Sequence, residues 1–153
     1  MLSGCGFHLR SYELDSAVES FALTGDTRAR IAGPLRRAMS QAGVTEISIQ
    51  DAALVIDVLD ERSDRRSASI AGRARAAEYE MSYGVRFRVL ADGTELAAPQ
   101  WLWRERVYRI DRENIVGSSE EQTILEREMM QDLVSQIVRI VDTVSRNASN
   151  TES

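Results

Sequence analysis

Tyr79-Glu80-Met81-Ser82-Tyr83-Gly84-Val85-Arg86-Phe87-Arg88-Val89 sets large apolar residues against polar or small ones without a break. Successive side chains of a strand point to opposite faces, so strict period two over this length predicts a strand with one buried face. The odd positions form that face, and Glu80, Arg86 and Arg88 lie on the other. Asp92-Gly93 follows and is a two-residue hairpin signal. A return strand is expected from about Leu96 to Ile110. Pro99 places its start at a sheet edge or a bulge, because proline cannot donate to a ladder. Trp101 and Trp103 share one face of this strand, with Leu102, Tyr108 and Ile110 on the other. Upstream, Leu54, Val55, Ile56, Val58 and Leu59 make Ala53–Asp60 a nearly continuous apolar strand, a pattern of burial on both faces. The stretch 61–76, with Arg62, Arg65, Arg66, Arg73 and Arg75, reads as strand ends and a solvated hairpin tip.

Two helices flank these strands. Ala17–Thr24 reads as a short strand, and Gly25-Asp26-Thr27 as a turn with a candidate N-cap at Thr27. Ile31, Leu35, Met39 and Ala42 then share one helical face. Pro34 suits a first turn and not an interior, so the helix begins at Pro34 or runs from Thr27 with a kink. Gly43 ends it, and Val44–Ile49 is a short extended piece. Ser119-Glu120-Glu121-Gln122 fits a capping box. From Ile124 through Val144 an apolar stripe recurs at helical spacing, and residues 147–153 are polar, expected as a disordered tail. An amphipathic helix and a half-apolar sheet each need a cover. The economical fold is α+β: a two-layer sandwich with two helices packed on one face of a mixed four-stranded sheet. One domain is expected over residues 17–146, preceded by an anchor segment and linker over residues 1–16.

The 153 residues carry a formal net charge of −5. A general nucleic-acid binder would carry a basic field, so no nucleic-acid partner is expected. All 19 basic residues are arginine, whose planar fork grips phosphate or carboxylate through two hydrogen bonds. The single histidine, His8, leaves no histidine for a triad elsewhere, and there is no Cys/His cluster, phosphate loop or nucleophile elbow. Neither an enzyme nor a cofactor is expected. Met129-Met130 reads first as core and second as an adaptable binding surface. The tryptophan pair reads as core or as a contact for a partner.

Met1-Leu2-Ser3-Gly4-Cys5-Gly6 holds the only cysteine. One cysteine builds no disulfide framework. A branched apolar residue, two small residues and a cysteine form the pattern that precedes an acylated cysteine in bacterial lipoproteins. Cys5 is therefore the expected attachment site of acyl chains; two or more chains hold a membrane stably. Such a cysteine needs a leader with an apolar run of about 7–15 residues, more than the four residues that precede it here. Gly6 occupies the position where aspartate marks inner-membrane retention, which favours the outer membrane.

Four stretches carry a resemblance to a known family. They are Cys5-Gly6-Phe7-His8-Leu9-Arg10; Gly33-Pro34-Leu35-Arg36-Arg37-Ala38 with Ala42-Gly43-Val44; Ala77-Glu78-Tyr79-Glu80-Met81; and Glu120-Glu121-Gln122 with Ile124 and Glu128-Met129. In this order they resemble LptE, the lipopolysaccharide-assembly lipoproteins of the Gram-negative outer membrane. The resemblance implies an α/β sandwich anchored to the outer membrane on its periplasmic side. It implies a heterodimer with the outer-membrane β-barrel LptD, which LptE-like proteins plug and help assemble, and binding of lipopolysaccharide during transport to the outer leaflet. It places basic lipopolysaccharide contacts ahead of Ala77 and before the last helix. Arg73 and Arg75, with Arg66 beside them, answer to the first region. In the second, Gly117 and Ser118 stand where a basic residue is expected, and Arg112 is the nearby substitute. The alternatives are an auxiliary lipoprotein of another envelope transport system and a free periplasmic lipid carrier. A carrier needs a sizeable apolar cavity, for which two helices on one sheet face leave little room.

Overall fold

The computed structural model describes Leu14 and residues 18–69, 76–111 and 115–151. Cys5, His8, Arg73, Arg75 and Arg112 lie outside the described residues. The elements are β1 (Ser20–Gly25), α1 (Ala32–Gln41), β2 (Thr45–Glu46), β3 (Leu54–Ser69), β4 (Ala76–Ala91), β5 (Thr94–Asp111) and α2 (Ile115–Thr151). They form a five-stranded mixed sheet in the order β2-β1-β3-β4-β5. β1 pairs in parallel with β2 and β3, and β3, β4 and β5 pair antiparallel. The α+β sandwich is as the sequence predicts. The fifth strand is β2, two residues from the short extended piece after Gly43.

The core lies where the alternation puts it. Met81, Tyr83, Val85, Phe87 and Val89 of β4 are all buried, as are Leu54, Ile56 and Val58 of β3 and Leu102 and Tyr108 of β5. They pack with Leu35 and Met39 of α1 and with Met129, Leu133, Ile137 and Val141 of α2. Phe87, Val85, Leu133 and Ile137 are fully buried, and full burial contributes about 1.5–3 kcal/mol for a side chain of this size. Both helices therefore cover one face of the sheet.

Turn chemistry fixes the register. Asp92 and Gly93 have φ of 49° and 76°, the left-handed pair that a type I′ hairpin requires, and Ala91 pairs with Thr94 across them. The register slips between Phe87 and Val89, whose partners on β5 are Gln100 and Ala97. Pro99 falls within that slip on the last strand of the sheet. α1 starts at Ala32, so Pro34 is its third residue and needs no kink. It ends in a Schellman motif: the N–H of Val44 donates to Met39 O and that of Gly43 to Ser40 O, with Gly43 at φ 86°.

Three boundaries differ from the sequence reading. β3 continues to Ser69 and β4 begins at Ala76, so most of the expected hairpin tip is paired strand. Its described arginines, Arg62, Arg65 and Arg66, keep polar partners, and a backbone ladder does not require an apolar side. α2 begins at Ile115, not at Ser119; Ser119 is a helix residue whose carbonyl accepts the Thr123 hydroxyl, so the capping box does not form. Val116 in the first turn is 73% exposed, and no apolar stripe marked that turn. At the other end α2 runs to Thr151, through the stretch expected as a tail. There the hydroxyls of Ser149 and Thr151 donate to the carbonyls four residues back. No described helix is long and apolar enough to cross a membrane.

Candidate functional site

The helices leave the second face of the β3–β4–β5 sheet uncovered. Strand alternation brings Asp57, Asp60, Arg62 and Arg66 of β3 to it, with Glu78, Glu80, Gly84, Arg86 and Arg88 of β4 and Trp101, Trp103, Val107 and Arg109 of β5. Opposite charges meet across the strands. Arg88 Nε donates to Asp57 at 2.8 Å, Arg66 bridges to Glu80 at 2.5 Å and Arg109 to Glu78 at 2.8 Å. Such pairs contribute about 0.2–1 kcal/mol each and keep this face polar.

Amid the ion pairs sits an aromatic cluster. Trp101 and Trp103 stack with centroids 5.0 Å apart and planes at 19°. The guanidinium of Arg62, itself paired with Asp60 at 2.9 Å, lies 4.9 Å from the Trp101 ring. Trp103 rests on Gly84: a Cβ there would come within 2.4 Å of the Trp103 ring, so only glycine gives the indole this seat. Trp103 remains 41% exposed and Val107 59%. The tryptophans therefore belong to the open face, while Leu102 and Tyr108 belong to the core.

On the helix face, a cleft of about 390 Å³ opens between the outer half of β3–β4 and the N-terminal half of α2. The sequence reading left little room for a cavity. The room exists because β3 and β4 run far past α1, so only α2 covers their outer half. Met81, Tyr83, Met129 and Met130 line the cleft, with Arg30 and Arg65 at its polar side. Met129 is core-buried and Met130 half-buried. Arg30 is tied to α2 by a 3.1 Å bridge to Glu126. Beside the cleft, Glu61 receives the N–H groups of Arg30 and Ile31 at 2.7 and 3.1 Å, and the Tyr83 hydroxyl also donates to it. Thr27 does not cap α1; this carboxylate from β3 serves the entry instead, where an anion suits the helix dipole.

The described arginines of the expected tip, Arg62, Arg65 and Arg66, divide between these two faces. Arg62 and Arg66 lie on the open face in ion pairs. Arg65 turns to the helix face, 5.2 Å from the Tyr79 ring, and donates to the Tyr108 hydroxyl at 3.5 Å. That hydrogen bond raises the Arg65 pKa above its ordinary value. Of the residues expected to contact lipopolysaccharide, only Arg66 is described, paired with Glu80 and not among the residues that line the cleft. The Glu61 constellation carries no local sequence signal, because its partners are 22–31 residues away. Among the described residues no group of His, Cys, Asp and Glu could hold a metal ion.

Comparisons with known proteins agree with this architecture. The lipopolysaccharide-assembly family LptE matches residues 16–140. The LPS-assembly lipoprotein LptE of Pectobacterium atrosepticum is 28% identical, over 94% of this chain and 79% of the relative. The solution structure of a lipoprotein B from Nitrosomonas europaea superposes with a TM-score of 0.73 at 26% identity, over 92% of this chain and 93% of that one. The rare lipoprotein B of Shewanella oneidensis has the same fold, with a TM-score of 0.69 at 23% identity over 88% and 100% of the two chains. The family match spans every strand, α1 and most of α2, and on that ground the chain belongs to the lipopolysaccharide-assembly lipoprotein family LptE.

Proposed function

We propose that this chain plugs the outer-membrane barrel LptD as its heterodimeric partner, helps it assemble, and binds lipopolysaccharide on its way to the outer leaflet. The observation that carries the reading is the family match over residues 16–140. The open sheet face supports it. The inside wall of a large membrane barrel is polar. A face of compensated ion pairs, with a stacked tryptophan pair at its centre, offers such a wall both polar matching and a desolvated anchor. Cys5, acylated after removal of a leader, holds the protein to the periplasmic side of the outer membrane. Arg73, Arg75 and Arg112, with Arg66 in support, supply guanidinium forks to lipid A phosphates.

A photoreactive residue at Val107 or at Trp103 tests the barrel contact in intact outer membranes. Either position is expected to crosslink to a large β-barrel protein. Crosslinks only to soluble periplasmic proteins would contradict the plug. For the lipid contact, replacing Arg73 and Arg75 together by alanine is expected to weaken lipopolysaccharide binding while leaving the thermal midpoint almost unchanged. Added salt weakens wild-type binding in the same direction, since exposed charges are screened. Binding indifferent to both changes removes the phosphate contact.

A further inference from the structure

The cleft on the helix face has no part in barrel docking on the opposite sheet face. Its volume of about 390 Å³ lies at the lower end of the range for small-ligand pockets, about 300–1,000 Å³. Three of the chain's five methionines, Met81, Met129 and Met130, line it. Thioether side chains are unbranched and polarizable, and they conform to flexible apolar ligands. The polar side is asymmetric. Arg30 is engaged by Glu126, whereas Arg65 has no carboxylate within salt-bridge distance among the described residues. Tyr79 and Tyr108 hold Arg65 in place from below and leave guanidinium donors unspent. Asp64, also at the cleft, alternates with Arg65 along β3 and so projects toward the other face. A cleft of mixed lining, with three thioethers among its polar side chains and one held guanidinium that has no carboxylate partner among the described residues, has the chemistry of a receptor for an amphiphile with an anionic head.

We propose that this cleft binds one acyl chain of an anionic amphiphile, with the chain against Met81, Met129 and Met130 and the head group on Arg65. For the natural ligand the proposal rests on the lipopolysaccharide reading, since the phosphorylated lipid end of that molecule carries both groups. The site is distinct from Arg66, the next residue of β3, which pairs with Glu80 on the open face.

Methyl NMR of the full chain labelled at its methionines tests this, with dodecyl phosphate added below its micelle concentration. Saturable shifts of the Met81, Met129 and Met130 methyls are expected, while Met39, an α1 residue that does not line the cleft, stays still. Arg65→Gln, an exposed substitution, is expected to weaken binding about tenfold or more, the loss of a charge-assisted contact. Dodecyl maltoside should bind wild type with the weaker affinity that the variant shows for dodecyl phosphate, and inorganic phosphate alone should leave the methyls unmoved. Filling the slot with Ser63→Phe should abolish the shifts. Equal binding by wild type and Arg65→Gln, or shifts at Met39 as large as at the other three, overturns the site. Lipopolysaccharide should displace dodecyl phosphate. If it binds without displacing it, the cleft is not its seat, although the lipopolysaccharide reading stands. If it does not bind at all, that reading fails whatever dodecyl phosphate does.

Discussion

Glu61 reads in the sequence as the start of a solvated tip, yet its carboxylate joins β3 to the entry of α1 and to Tyr83. Nothing local announces this, because all three donors come from segments distant in sequence. Glu61→Ala is expected to cost about 1–3 kcal/mol, since it leaves two backbone donors and a buried tyrosine hydroxyl without their acceptor. Glu61→Gln, which keeps one acceptor oxygen, should lose less. Urea denaturation of both variants checks the order, and an alanine variant as stable as wild type would contradict the bridge. Gly84 is the second such residue. Its position in the polar half of the alternation was legible, but its purpose, to seat the Trp103 ring, was not. In a Trp101→Phe background, Gly84→Ala should push the ring off the strand and shift Trp103 emission to the red, with most of the stability kept. Unchanged emission would mean that the ring does not rest there.

At the scale of elements, the sequence was most legible where one physical constraint acted alone. The period-two run of Tyr79–Val89, the Asp92-Gly93 turn and the Gly43 stop each follow from local geometry, and each stands where it was expected. The apolar stripe from Ile124 to Val144 gave the body of α2 for the same reason. Ends governed by polar partners were less legible. β3 runs on through Arg62, Arg65 and Arg66 because nearby acids and aromatic rings receive them, and α2 starts a turn early with Val116 exposed, where no apolar stripe announces it. The open face was legible as polar, but the stack of Trp101 on Trp103 needed the register. The core assignment carries its own test. Phe87→Ala or Leu133→Ala should cost about 2–5 kcal/mol through lost transfer and a cavity. Arg86→Ala, exposed on the other face, should stay within about 0.5 kcal/mol. Comparable losses at Phe87 and Arg86 in one denaturation series would contradict the register.

Over the whole molecule, one sheet serves two surfaces. The helices consume one face for stability and leave the other as a polar, tryptophan-centred surface, and the ribbon that outruns α1 opens the methionine-lined cleft. This division suits the enclosure by a barrel and the lipid contact proposed above. Cys5 belongs to the same scale: expressed behind a lipoprotein leader, Cys5→Ala should leave the protein unanchored in cells that lack the barrel, and continued fractionation with membranes there would contradict acylation. The central claim is partnership with the barrel, and the most direct measurement is purification of the leader-bearing, tagged chain from detergent-solubilised outer membranes. A one-to-one complex with a large outer-membrane β-barrel, surviving stringent washing, is the expected result. Recovery of the chain alone from outer membranes that contain the barrel, or bound to a different transport assembly, would contradict it.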